Sequence, residues 1–362
     1  MSSADAGLEM PKLPELLKRV AIGPKLQKEI TRQEAAAAIT SALNGHENMM
    51  QLGIFLIALR MRGERMHEFE GILDGMLELT NAVAVETENL VELAEPFDGS
   101  NRQLNFCAFL PAVLAACGMP AYVSGVHDCG PKHGVTAAKV FEFLGKPQLP
   151  DMTEAVSLLE SEDVGWAYCG QEFSSPALYA IREQRDLMIK RTALTTLERL
   201  LHPLRASGKN HLHIGYVHKA YPPIYARMAM QAGYDSVCLL KGMEGGVFPA
   251  LDKPLRATLV SVEHDLEPSR IDFDFDPLDV VSSGEIKFSD TESCEAQVAR
   301  IAEEGLAALN GACGNARKLL TTTGALILYS SGQASAPVAA RKMILEVLDS
   351  GAALHRLRSF VG

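Results

Sequence analysis

Apolar residues recur at helical spacing through the first eighty positions. Thr31-Arg32-Gln33-Glu34 has the form of a capping box, with the Thr31 hydroxyl set to take an N3 amide and Glu34 set to reach back. Asn44-Gly45 supplies a residue pair that ends such a helix. The next run, Asn48 to Arg62, stops at Gly63. Leu52, Phe55, Leu56 and Leu59 mark one face, but Ile54, Ile57 and Ala58 are apolar too, which predicts a helix buried in the core or against a partner. A third helix is expected from Glu64 to Thr80, with Phe69, Ile72, Leu73 and Met76 on one face.

Beyond residue 82 the period changes. Short β-type runs at Ala121–Val126, Val164–Cys169, His211–Val217, Ser236–Lys241 and Ala257–Val262 alternate with helical ones such as Pro222–Ala232. That alternation predicts parallel strands joined by helical crossovers. Two helices are expected to close the chain, one through Val298, Ile301 and Leu309, the other from Pro337 through Ala340, Ile344 and Val347. Asp272-Phe273-Asp274-Phe275-Asp276 alternates at period 2 and reads as an edge strand. The expected fold class is α/β: a helical N-terminal subdomain over residues 1–82 and a larger α/β domain with a mainly parallel sheet over 83–362.

Composition narrows the function classes. With 47% hydrophobic residues in 362, a sizeable core is available. The formal charge of −11 repels polyanions at long range and disfavours a non-specific nucleic-acid binder. One stretch runs against that trend. Arg182, Arg185, Lys190, Arg191, Arg199, Arg205, Lys209 and Lys219 face only Glu183, Asp186 and Glu198, so 8 minus 3 gives +5, and four histidines (202, 211, 213, 218) lie among them. It reads as a phosphate or nucleic-acid contact, or as a solvated helical face. Seven cysteines without a C-x-x-C pair fit reduced thiols. No 18-residue uncharged apolar run appears, and the first residues lack the basic and apolar regions of a secretory signal, so the expected location is the cytoplasm.

Three loops carry candidate chemistry. Phe97-Asp98-Gly99-Ser100-Asn101-Arg102 leads through Asn105 into the apolar run Phe106–Cys117, where Pro111 suits a first helical turn or kinks the helix. A polar loop feeding a helix can present N–H groups to an anion, and Arg102 adds charge there; the plain alternative is an ordinary capped turn. Gly125-Val126-His127-Asp128-Cys129-Gly130-Pro131-Lys132-His133-Gly134 follows a strand, where parallel sheets bind ligands, and a helix from Thr136 to Leu144 comes after it. His127, Cys129 and His133 raise the question of zinc, but no fourth ligand has a recognisable spacing, so no metal site is assigned. Lys241-Gly242-Met243-Glu244-Gly245-Gly246 also follows a strand and reads as a ligand-facing loop.

At these loops, and through Phe55–Glu64, Gly118-Met119-Pro120, Phe141–Gly145, Arg191-Thr192, His202-Pro203-Leu204 and Asp349–Leu354, the chain resembles the anthranilate phosphoribosyltransferase family (glycosyltransferase family 3). The resemblance covers nearly the whole chain. It implies a nucleoside phosphorylase/phosphoribosyltransferase-like fold and a homodimer formed through the helical part. It also implies a site for phosphoribosyl diphosphate (PRPP) and Mg²⁺ between the subdomains. The motifs depart from the family's pattern. Glu95-Pro96-Phe97-Asp98-Gly99 stands where the family has Gly-Thr-Gly-Gly-Asp, and Cys107-Ala108 where it has Ser-Thr. Val123-Ser124-Gly125-Val126 replaces Lys-His-Gly-Asn, and Val247-Phe248 falls at the Asp-Glu pair that serves magnesium. Asn105 matches, and Arg185 precedes Arg191 by six residues, as does the family's acceptor-binding arginine. The pattern looks like a diverged branch of the family.

The resemblance implies a phosphoribosyltransferase-like transferase with an altered substrate. The departures speak against the anthranilate reaction, because a diphosphate leaving group needs fixed donors and a hard cation. Its ligand would be a small phosphorylated molecule held by Asp98, Gly99, Ser100, Arg102 and Asn105, with Gly125, His127 and Lys132 opposite, Arg185 at the acceptor and Glu244 restoring part of a metal site. No catalytic residue is assigned, and whether the chain is an enzyme stays open. A nucleic-acid or polyanion-binding dimer and a metabolite-sensing pseudoenzyme are the other two readings.

Overall fold

The computed structural model describes residues 10–23, 25–249, 255–271, 287–289 and 291–362. The expected strand at 272–276 lies outside the described residues.

Among the described residues four helices come first: α1 (Leu13–Val20), α2 (Arg32–Leu43), α3 (Met49–Arg62) and α4 (Met66–Glu78). The capping box forms, with the Glu34 amide donating to Thr31 Oγ1 at 3.2 Å and the Thr31 amide to Glu34 Oε2 at 2.8 Å. Asn48 caps α3 by accepting from the Met50 amide at 2.9 Å. Helices α2 and α4 cross closely because Gly71 lacks a side chain: a Cβ there would sit 2.1 Å from the Arg32 carbonyl oxygen. Leu52, Phe55, Leu56 and Leu59 of α3 are buried, whereas Met50, Ile54 and Met61 are 74%, 49% and 79% exposed. The helix is therefore not buried all round.

The strands are β1 (Val83–Val85), β2 (Asn89–Ala94), β3 (Ala121–Gly125), β4 (Trp166–Gly170), β5 (Leu204–Ala206), β6 (Lys209–Tyr216), β7 (Ser236–Lys241), β8 (Ala257–Ser261) and β9 (Ser269–Ile271). Among the described residues, β1 and β5 form a short parallel pair and the other strands form one sheet in the order β4-β3-β2-β6-β7-β8-β9. The first five of these are parallel, as expected. The expected parallel placement of Ala257–Val262 is corrected: β8 pairs antiparallel with β7, and β9 antiparallel with β8. A parallel neighbour requires the chain to cross back over the sheet. No crossover helix is described between β7 and β8.

The connecting helices are α5 (Leu110–Ala116), α6 (Ala137–Phe143), α7 (Met152–Glu160), α8 (Gln171–Ser174), α9 (Pro176–Ala180), α10 (Arg182–Met188), α11 (Ala193–Leu197) and α12 (Tyr221–Ala232). Pro111 sits in the first turn of α5 rather than kinking it. Four helices close the chain rather than two: α13 (Cys294–Leu309), α14 (Asn315–Ser330), α15 (Pro337–Asp349) and α16 (Ala352–Val361). One face of the sheet packs on α5, α6 and α13–α16. The other packs on α12 and on the N-terminal helices, with Leu178, Ile181, Ala193, Leu194 and Leu197 joining that core from residues 178–197.

Candidate functional site

Strand β2 has β3 on one side and β6 on the other, and the chain builds the sheet outward from it in both directions. Ligands of open parallel sheets bind beyond the strand C-termini at such a switch point. Here the loops after β2, β3, β6 and β7 converge. Arg199, buried beneath them, ties three together. Its guanidinium donates to the Ala94 carbonyl at the end of β2 (Nε, 3.2 Å), the Gly215 carbonyl of β6 (Nη1, 3.2 Å) and the Gly245 carbonyl beyond β7 (Nη2, 2.8 Å).

The loop after β2 is pressed against the loop after β3. Ser100 and Val135 exchange both backbone hydrogen bonds at 2.9 Å, and the Gly134 amide donates to the Asp98 carbonyl at 3.0 Å. Gly99 lies at φ +75°, and a Cβ there would meet the Gly134 carbonyl at about the same point, 2.6–2.7 Å away. Only glycine fits that turn. The Asp98 side chain, 3% exposed, takes Arg191 Nε at 3.1 Å and also Arg191 Nη2, and Lys132 Nζ stands 3.3 Å away.

Glu244, at φ +53°, reaches across from the loop after β7. Its Oε2 accepts from the backbone amides of Arg102 at 2.8 Å, Gln103 at 3.2 Å and Asn101 at 3.3 Å. Lys132 Nζ lies 3.6 Å from its Oε1. Gln103 fastens the same two loops by donating to the Phe248 and Pro249 carbonyls at 3.2 and 3.1 Å. Above this junction opens a cavity of about 670 Å³ lined by Arg102, Lys132, Arg191, Lys241 and Arg256, with Glu244 the one acid in its wall among the described residues. A second cavity of about 750 Å³ continues from Arg191 and Glu244 toward α3, where Ile57, Arg60 and Met61 close it against Tyr216, Tyr221 and Tyr225.

The structure thus gathers Asp98, Gly99, Ser100, Arg102, Lys132 and Glu244, and it leaves four expected residues elsewhere. Asn105 is buried beneath the loop, donating to Glu95 and accepting from the Cys107 amide at 3.1 Å. Gly125 backs onto Tyr168. His127 bonds Glu142 at 2.6 Å and lines neither cavity. Arg185 is buried and forks onto Glu198 at 2.6 and 2.7 Å. Arg191, Lys241 and Arg256 are not among the expected ligand-binding residues, although Lys241 opens a loop expected to face a ligand. Lys241 and Arg256 meet through β7–β8 pairing, while Arg191 reads as part of a charged run and of the stretch Arg191-Thr192 that carries the family resemblance. That run is no single face: Arg185, Arg199, His202, His211 and His213 are all buried. Burial holds His211 and His213 at about 4, so neither adds positive charge near neutrality.

Glu95, at the start of the loop, is buried and pushed up to about 7 by desolvation, against the opposing pull of Asn105. Among the described residues no group of three His, Cys, Asp or Glu side chains is placed to hold a metal ion. Val247 and Phe248 are buried and offer no side-chain oxygen to a hard cation.

Residues 14–80 match the family model described as the glycosyl transferase family, helical bundle domain. The anthranilate phosphoribosyltransferase of Acetivibrio thermocellus is 22% identical over 338 residues, covering 92% of each chain. That of Thermomicrobium roseum is 25% identical, covering 93% of this chain and 95% of its own. An uncharacterised protein of Aquifex aeolicus is 24% identical over 63% of this chain and 67% of its own. In fold, the Saccharomyces cerevisiae anthranilate phosphoribosyltransferase in complex with PRPP and Mg superposes with a TM-score of 0.76 at 16% identity, over 96% of both chains. The resemblance to the anthranilate phosphoribosyltransferase family is borne out. The expected helical subdomain and mainly parallel α/β domain are those of the anthranilate phosphoribosyltransferase structures.

Proposed function

We propose that this chain is a phosphoribosyltransferase-like transferase with an altered substrate, binding a phosphorylated sugar in the cleft between the N-terminal helices and the sheet. The observation that carries this reading is the wall of the 670 Å³ cavity. Among the described residues five cations line it, two of them (Lys132 and Arg191) paired with Asp98, in a protein whose formal charge is −11. Clustered cations in a low-dielectric cleft favour multiply charged anions, and each charge-assisted contact contributes about 1.5–3 kcal/mol. Arg191, Lys132 and Arg102 would hold the phosphates over the switch point. The second cavity, with its tyrosines, would take the acceptor.

The anthranilate reaction fits poorly. Arg185, the residue that the resemblance places at the acceptor arginine, is already paired with Glu198. The position of the magnesium pair holds Val247 and Phe248. A yeast relative carries PRPP with Mg. In this chain Mg²⁺ would have to come with the ligand's own phosphates, because the position aligned with the Asp-Glu pair supplies no carboxylate. Calorimetric titration with PRPP, with and without Mg²⁺, tests the donor half of the site. No heat at millimolar ligand overturns the proposal. Product formed with any acceptor marks a transferase, and tight binding without turnover marks a sensor.

A further inference from the structure

Glu244 sits where an anionic ligand should. Three consecutive amides, Asn101, Arg102 and Gln103, point at one of its oxygens, and Lys132 stands beside the other. Successive backbone N–H groups turned toward one point form an anion-binding concavity. Arg102, Lys132 and Arg191 surround this one. The nest is therefore complete as a phosphate subsite and is filled by the protein's own carboxylate.

We infer that Glu244 is an internal plug, which a ligand phosphate must displace to reach the amides of 101–103. This rests on the phosphorylated-ligand reading above. The loop that carries Glu244 suits such an exchange. Gly242, Gly245 and Gly246 flank it, and Glu244 itself holds a left-handed backbone that a non-glycine residue adopts at a cost. Releasing the carboxylate relaxes that residue. Lys132 would stay paired throughout, first with Glu244 and then with phosphate. The plug lowers apparent affinity by the fraction of time it occupies the nest.

The test is titration of the full chain with inorganic diphosphate and with sulfate, comparing wild type with Glu244→Gln and Glu244→Ala. Amides 101–103 are followed by ¹⁵N NMR, and thermal unfolding checks that each variant is folded. Glu244→Gln keeps the volume and a weaker acceptor, whereas Glu244→Ala empties the nest. Diphosphate should bind the alanine variant at least about tenfold more tightly than wild type, with glutamine between. The gain should survive about 1 M salt, where the screening length is about 3 Å and a general charge effect is lost. The three amides should shift on binding. Equal or weaker binding by the variants overturns the plug, as does a gain that vanishes at high salt. If no form binds diphosphate but the alanine variant takes sulfate at these amides, the plug stands and the phosphoribosyl reading falls. Silence toward both anions overturns both.

Discussion

Arg185 and Glu198 make a two-pronged ion pair sealed from solvent, with Nη1 to Oε2 at 2.6 Å and Nη2 to Oε1 at 2.7 Å. Gln171 Nε2 adds a third donor to the carboxylate at 3.2 Å. Deleting one partner of a buried pair strands the other charge, so Arg185→Ala should lose about 3–5 kcal/mol in urea unfolding. Replacing both partners with apolar residues of similar volume should cost far less. A single variant as stable as wild type would show that water reaches the pair.

The guanidinium of Arg199 joins β2, β6 and the loop beyond β7 through three carbonyls. Arg199→Met leaves those oxygens without their donor. We expect a loss on the order of 3 kcal/mol in the same unfolding experiment, from several unsatisfied buried acceptors together. Inorganic diphosphate binding should fall with it, because the loops that carry Asp98 and Glu244 lose their common anchor. Unchanged calorimetric affinity in a folded variant would place the anchor elsewhere.

Glu95 gives the protein a pH signature. Its carboxyl is raised from 4.5 to about 7 on folding, so the folded state binds the proton more tightly than the unfolded chain. The resulting stabilisation is complete below about 4.5 and is lost as pH rises through about 7. A difference of 7 minus 4.5, or about 2.5 units, corresponds to roughly 3 kcal/mol at most. Melting temperature should therefore decline between pH 5 and pH 8 by this contribution, with ~pH 6 more favourable than ~pH 8. Glu95→Gln should flatten that part of the profile. An identical slope in the variant would mean that Glu95 is ionised throughout.

The exposed side of α3 leads to a prediction about assembly. Met50, Ile54 and Met61 are exposed on a helix whose other face is core, and Leu187 and Ile189 add further exposed apolar surface at 82% and 71%. We propose that a second copy covers this face, since self-complementary apolar patches commonly form two-fold dimers. Met50→Asp with Met61→Asp should leave a folded monomer in sedimentation velocity. A wild type that is already monomeric at micromolar concentration would refute the dimer.

Where pattern follows burial, the chain is easy to read. Thr31 and Glu34 form their box, and Ser236–Lys241 is a strand over its whole expected length. The hard cases are those where a local rule yields to tertiary context. Strand β2, the middle one of the five parallel strands, was missed because Glu92 interrupts its apolar run. The structure shows why an acid survives there: Tyr122, Tyr234 and Ser124 all donate to it, and burial raises its carboxyl above the usual range. Helix α14 was not expected: Thr321-Thr322-Thr323-Gly324 joins β-branched residues to a glycine, which weakens a helical pattern, yet all four are buried within it. At the site, Asp98 and Lys132 could be nominated from loop composition. Their meeting with Glu244 was expected only from the family resemblance, since the three come from separate connections, after β2, β3 and β7, and the sheet order brings them together.

Helix α3 borders two regions at once. Its outer side carries Met50 and Ile54, and one turn further on Ile57, Arg60 and Met61 wall the cleft. Met61 belongs to both. A neighbour seated on the outer side would thus touch a residue that the occupant of the cleft also touches, and the two events would share one free-energy balance. Whatever association gains or loses when the cleft fills, filling must gain or lose equally on association. Apparent affinity would then vary with protein concentration, and dilution would act on this molecule as an effector.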